Sequence, residues 1–232
     1  MDSIKKYVAE FIGTFVLVFL GCGTAMLVGC DTLGGYALTA AAFGLVIVGM
    51  AYCVGNISGC HINPAVSLGV LLSGGMTAKD FCGYVVSQIL GAFAGSGVLA
   101  LIFELGTVTD KTGGYGTNGL AGVNDSMGAA FVVELLLTFI FVLTILGVTS
   151  KKGNHGSFGG LIIGCTLTLV HIFGIGLTGT SVNPARSLGP AIINSLVNTK
   201  TDSLENVWIF ILAPLVGAAL AAFCYKFLES KD

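Results

Sequence analysis

The chain has 232 residues, of which 54% are hydrophobic and only 9% charged, with a mean hydropathy of +0.93. A water-soluble domain carries roughly 25% charged residues and a disordered one is poor in apolar residues, so both classes are excluded. The net charge of -2, with ten thinly scattered basic residues, also excludes a nucleic-acid surface and leaves a membrane protein.

Charges are missing from residues 11–30, 32–78, 81–103, 153–185 and 206–225, while 126–150 is broken only by Glu134. A helix crossing the hydrocarbon needs about 20 largely apolar residues. The pattern predicts spans over 8–29, 36–54, 81–104, 128–149, 158–176 and 207–228. The first is too long in its apolar part for a signal peptide and lacks a small-residue cleavage site. Glu10 in the first span and Glu134 in the fourth are intramembrane carboxylates, which serve either as a proton relay or as braces for neighbouring N–H groups.

Two stretches do not fit simple crossings. The uncharged run 32–78 is too long for one span, and its second part, 56–75, is rich in Gly, Ser and Asn. The segment 177–194 is apolar but interrupted by Gly179, Pro184, Arg186 and Pro190. Irregular backbone survives at membrane depth only where protein or a water-filled cavity satisfies it, so each reads as a re-entrant loop followed by a short helix. With six spans, Lys5, Lys6, Lys79, Lys151, Lys152, Lys226 and Lys231 fall on one side and Lys111 and Lys200 on the other. The positive-inside rule then predicts a multi-pass protein of the cell membrane with cytoplasmic termini.

The two odd stretches match each other. SGCHINPAVSLG at 58–69 and TGTSVNPARSLG at 178–189 agree at seven of twelve positions with an offset of 120, and Gly44 and Gly164 extend the register. AEFIGTFVLVF around Glu10 resembles VELLLTFIFVL around Glu134. The expected fold is all-α: six transmembrane helices plus two re-entrant half-helices, forming one channel domain over 1–232. Repeat 1 covers about 7–104, an outer connecting loop about 105–127, and repeat 2 about 128–228. An odd number of spans per repeat inverts the second copy, so the loops at Asn63 and Asn183 enter from opposite faces and meet mid-membrane.

In each Asn-Pro-Ala the Asn suits a helix N-cap and the Pro the first helical turn. That assigns Asn63, Pro64 and Ala65, and Asn183, Pro184 and Ala185, to two half-helices whose positive ends converge. The Asn NH2 groups would donate into the lumen, and a permeant there must accept hydrogen bonds and carry no positive charge, which fits water. Acceptors are expected from the carbonyls of extended backbone at Gly59, Cys60, His61 and Ile62, and at Thr178 and Gly179. Cys60 would lie beside the lumen, open to mercurials from the cytoplasmic side. A guanidinium in a membrane segment is costly, so Arg186 should face a polar cavity. Small residues four apart, Gly91/Gly95, Gly156/Gly160/Gly164 and Gly217/Ala221, should mark close helix contacts.

The paired HINPAVS and SVNPARS segments, the AEFIGTF opening and the six-span layout resemble the aquaporin family, or major intrinsic proteins, over essentially the whole chain. The resemblance is nearest to the bacterial Z type. It implies a homotetramer with one pore per monomer, and a selectivity filter of Phe43, His171, Thr180 and Arg186. It favours the brace for Glu10 and Glu134. His171, with Ser187 rather than Asp after Arg186, favours water over the alternative, a facilitator for glycerol or small neutral solutes. The expected partners are water as permeant and the lipid bilayer. No cofactor, metal or nucleic acid is expected, and no Ser/His/Asp or Cys/His arrangement recommends an enzyme.

Overall fold

The computed structural model describes residues 2–150, 156–199 and 201–229. Among them, six helices are long and apolar enough to cross a membrane: Ser3–Val28, Leu33–Ser58, Ala78–Leu105, Met127–Thr149, Gly159–Thr178 and Asp202–Glu229. The last opens with the single turn Asp202–Glu205, and its long part is Val207–Glu229. The second and third spans begin about one turn earlier than the expected 36 and 81, because caps set their starts. The Thr32 hydroxyl accepts from Gly35 N–H at 3.1 Å, and that of Thr77 from Asp80 N–H at 3.1 Å. Between the spans lie the predicted half-helices, Pro64–Leu72 and Pro184–Val197. Pro190, read from sequence as an interruption, sits inside the second of them, where adjacent Gly189 lets the helix press on the Ala92 backbone.

The first span is not a plain α-helix: Leu17–Cys22 form a π-helical turn between two α-helical parts. Such an insertion shifts the facing of the side chains that follow it.

The two halves pack alike. The first span lies against the third, the fourth against the sixth, and the second against the fifth across the junction of the repeats. Missing side chains set these crossings. A Cβ on Gly91 would stand 2.3 Å from the Phe11 carbonyl oxygen, and one on Gly217 2.3 Å from that of Leu135. Gly44 and Gly164 oppose one another, each within 2.6 Å of the other's carbonyl in the same sense. These are the close backbone approaches that small residues allow in lipid.

Each half-helix packs on the last span of the opposite half as well as on its own repeat, which interlocks the two copies. The C-terminal end of the first half-helix is met by Lys226, whose Nζ donates to the Leu72 carbonyl at 3.1 Å. Leu45, Leu90, Leu169, Phe173 and Phe223 point outward, as side chains facing hydrocarbon do. Lys5, Lys6 and Lys79 sit at the starts of the first and third spans, at the same end of the bundle as Lys226. Lys151, Lys152, Lys200 and Lys231 lie outside the described residues.

The crossing of the second and fifth spans can be tested. A Cβ on Gly44 would sit 1.8 Å from Thr168 Oγ1 and 2.5 Å from the Gly164 carbonyl oxygen, whereas one on Gly49 meets nothing within 4 Å. Gly44→Val should destabilise the detergent-solubilised protein by about 1–3 kcal/mol through overpacking, and Gly49→Ala should leave its thermal unfolding unchanged.

Candidate functional site

The half-helices meet N-terminus to N-terminus at the two asparagines. Asn63 Oδ1 accepts from Ala65 N–H at 2.8 Å, and Asn183 Oδ1 from Ala185 and Arg186 N–H at 3.1 and 3.2 Å. Pro64 and Pro184 occupy the first helical turn of each, followed by Ala65 and Ala185. The amides also tie the halves together. Asn63 Nδ2 donates to the Val182 carbonyl at 2.7 Å, and Asn183 Nδ2 to the Ile62 carbonyl at 2.9 Å. Only one N–H of each NH2 group is therefore left for the lumen, not the two that the sequence suggests.

The loops before the half-helices are not extended. Gly59, Cys60 and Ile62 have φ of 87°, 53° and 42°, and Gly179, Thr180 and Val182 have 73°, 44° and 46°. β-Branched residues rarely adopt such angles. What holds them is a buried carboxylate in each half. Glu10 accepts from Ser58 Oγ at 2.6 Å, His61 N–H at 2.9 Å, Ile62 N–H at 2.6 Å and Gln88 Nε2 at 2.7 Å. Glu134 accepts from Thr178 Oγ1 at 2.6 Å, Ser181 N–H at 2.9 Å and Val182 N–H at 2.8 Å.

With the N–H groups drawn back to the carboxylates, the carbonyls turn away. Among the described residues, no protein donor reaches those of Gly59, Cys60, His61 and Gly179. The Ile62 carbonyl is taken by Asn183, and that of Thr178 by Asn118 Nδ2 at 3.1 Å and Gly119 N–H at 3.3 Å. The Cys60 side chain packs against the hydrophobic core and lines neither cavity described below. Cys30 does line a cavity, at the opposite mouth.

Phe43, His171 and Arg186 come together above the asparagines. The Phe43 and His171 rings stack with centroids 4.3 Å apart and 21° between planes, and Arg186 Cζ lies 5.1 Å from the Phe43 centroid. His171 Nδ1 is 2.9 Å from the Leu167 carbonyl, which can only accept, so the proton sits on Nδ1 and Nε2 offers a lone pair. The constriction thus has an acceptor beside the donors of Arg186. His171 Nε2 and Arg186 Nε are both buried without a protein partner. Thr180 does not join this group through its side chain, whose Oγ1 is buried against Gly174.

The loop connecting the two repeats supplies residues that sequence reasoning missed. Arg186 Nη1 donates to the Gly116 carbonyl and to Asn118 Oδ1, each at 2.9 Å, and Ser187 Oγ donates to Asn118 Oδ1 at 2.7 Å. Asn118, itself 4% exposed, joins Arg186 to the Thr178 carbonyl. The loop is pinned by the Tyr115 hydroxyl, which donates to the Glu104 carboxylate. Burial and then that carboxylate push the Tyr115 phenol up to about 12, so the link persists at any physiological pH. The signal was the glycine-rich, uncharged run TGGYGTNG at 112–119, a turn-forming stretch too polar for a span.

A cavity of about 390 Å³ opens at one mouth, lined by Cys30, Asp31, Lys111, Gly179 and Arg186. Another of about 500 Å³ opens at the other, lined by Lys6, Asn56, His61, Asp80 and Tyr84. Between them the space shrinks to about 10 Å³, bounded by Phe43, His171, Arg186 and both asparagines, with Leu17, Ile47, Phe141 and Leu167 as an apolar wall. That is the order of a single water.

Residues 1–225 match the family model described as Major intrinsic protein. The chain belongs to the major intrinsic protein family. Its relatives in that family include Aquaporin Z of Brucella melitensis, 44% identical over 99% of this chain and 100% of the relative. They also include the Glycerol uptake facilitator protein-like 6 of Lactiplantibacillus plantarum, 42% identical with the same coverage. Among solved structures, the aquaglyceroporin from Plasmodium falciparum superposes with a TM-score of 0.85 at 27% identity, covering 97% of this chain and 96% of that one. The chain is thus a multi-pass membrane protein of a channel family, with the aquaporin fold of inverted three-helix repeats.

The Glu10 contacts yield a direct test. In Glu10→Gln an NH2 group replaces one acceptor, so two of the four donors lose their partner. Stability should fall by about 2–5 kcal/mol, read as a lower unfolding temperature in detergent.

Proposed function

We propose that this chain is a passive, water-selective channel that conducts along osmotic gradients and excludes protons and ions. The observation that carries this reading is the constriction: an aromatic pair and a guanidinium enclose a water-sized space whose two orphan polar atoms are one donor and one acceptor. A water can accept from Arg186 Nε–H while donating to His171 Nε2. Glycerol, with three carbons to accommodate, meets the stacked rings instead. Phe43, His171 and Arg186 then act as the selectivity filter, and Thr180 contributes through its backbone.

Past the filter, a water accepts from the remaining N–H of Asn63 and Asn183 and points its hydrogens outward to the carbonyls of the two loops. The half-helix N-termini place partial positive charge at the same level, which opposes cations and the relay of protons. Glu10 and Glu134 serve as braces: each carboxylate is filled by donors from its own half. The mouth bearing Lys5, Lys6, Lys79 and Lys226 faces the cytoplasm in the cell membrane, with both termini on that side. Four such chains assemble, each with its own pore.

Relatives named for both water and glycerol make the solute the point to measure. Stopped-flow shrinkage of proteoliposomes should show fast water efflux against sucrose and no glycerol entry above protein-free vesicles. Glycerol flux comparable to that of water would overturn the assignment. Replacing His171 with Ala and Arg186 with Val together should admit glycerol, raising its permeability about tenfold or more, as expected when a polar, closely fitted site is opened. Asn63→Asp and Asn183→Asp should each raise cation conductance in planar bilayers, because a carboxylate offsets the converging dipoles.

A further inference from the structure

We propose that Gly21, in the π-helical turn of the first span, is a specificity-determining residue that sets how far the Phe43 ring reaches into the constriction. The inference rests on the filter reading above and adds to it a residue outside the filter. Phe43 is 1% exposed and is held on three sides. His171 stacks on it, Arg186 lies over it, and the edge of the ring formed by Cδ1, Cε1 and Cζ rests in the notch left by Gly21. A Cβ built on Gly21 would stand 2.7, 2.5 and 2.9 Å from those three carbons. Ordinary contact begins near 3.4 Å. A methyl at position 21 therefore displaces the ring by about 1 Å, away from the first span and toward the lumen, because a close-packed site has no other room.

A further observation agrees. Gly21 lies within the π-helical turn Leu17–Cys22, whose first residue, Leu17, itself lines the narrow passage. Such a turn shifts the facing of the residues that follow its start, and in it Gly21 backs the Phe43 ring.

The experiment compares wild type, Gly21→Ala, Phe43→Leu and the double variant by stopped-flow water and glycerol permeability in proteoliposomes, normalised to reconstituted protein. Gly21→Ala should lower water permeability about fivefold or more, the overpacked ring narrowing the passage. The double variant should return to within about twofold of Phe43→Leu, because without the ring the methyl has space, the coupling expected of residues in contact. Gly21→Ala at wild-type permeability, or a double variant still well below Phe43→Leu, overturns the proposal. Should Gly21→Ala fail to reconstitute, the double variant against Phe43→Leu decides alone: equality supports the coupling and loss overturns it. The filter reading has its own readout, since an unchanged glycerol-to-water ratio in Phe43→Leu removes Phe43 from the filter. The Gly21 assignment then falls as a specificity determinant even where the contact persists.

Discussion

Everything at the centre of this fold depends on a carboxylate buried beneath each re-entrant loop. A loop at membrane depth has no solvent to satisfy its N–H groups, and left-handed backbone at non-glycine residues costs about 1–2 kcal/mol per residue. Cys60, Ile62, Thr180 and Val182 all adopt it. Hydrogen bonds to a charged acceptor contribute about 1.5–3 kcal/mol each, and Glu10 receives four while Glu134 receives three. The two terms are of comparable size. The loops thus hold an otherwise unfavourable shape, and that shape turns the carbonyls and the half-helix N-termini toward the middle.

The asparagines convert two braced loops into one structure. Each caps its own half-helix through Oδ1 and reaches the opposite loop through Nδ2, so the half-helices cannot slide apart without breaking both crosslinks. The duplication repeats the device but not its details. In the first half Gln88 joins Glu10 to Ser67, and Ser67 meets His61; in the second, Ser181 meets Ser187, which is turned to Asn118 and thereby to Arg186. One copy of the network ends at the cavity lined by Lys6, and the other ends at the constriction.

The sequence showed the architecture because lipid leaves few alternatives. Uncharged runs located all six spans, and two Asn-Pro-Ala segments within apolar surroundings located the half-helices. Local composition could not show what depends on distant neighbours. Extended backbone was the natural expectation for 59–62, and left-handed angles became affordable only through Glu10, some fifty residues away. The tautomer of His171 is fixed by the Leu167 carbonyl one turn back, visible only once the ring's direction is known. Asn118 lay in what read as a linker, and the π-helical turn at Leu17–Cys22 leaves no signature in an apolar run.

The distribution of unsatisfied groups is the last step. Gln88 Oε1, His171 Nε2, Thr180 Oγ1 and Arg186 Nε are the buried side-chain polar atoms without a partner among the described residues, and two of the four belong to residues that line the constriction. Left dry, each would cost about 1–3 kcal/mol, and a protein selected for stability alone would pair or remove them. Instead Arg186 spends Nη1 on the connecting loop and His171 spends Nδ1 on its own helix, which fixes both side chains while leaving a buried donor on one and a buried acceptor on the other unpaired. On the proposed reading the missing partner is the permeant. A water there gains two hydrogen bonds from groups already held in place, yet the apolar wall of Leu17, Ile47, Phe141 and Leu167 gives it no further hold, so it is bound well enough to enter and weakly enough to leave.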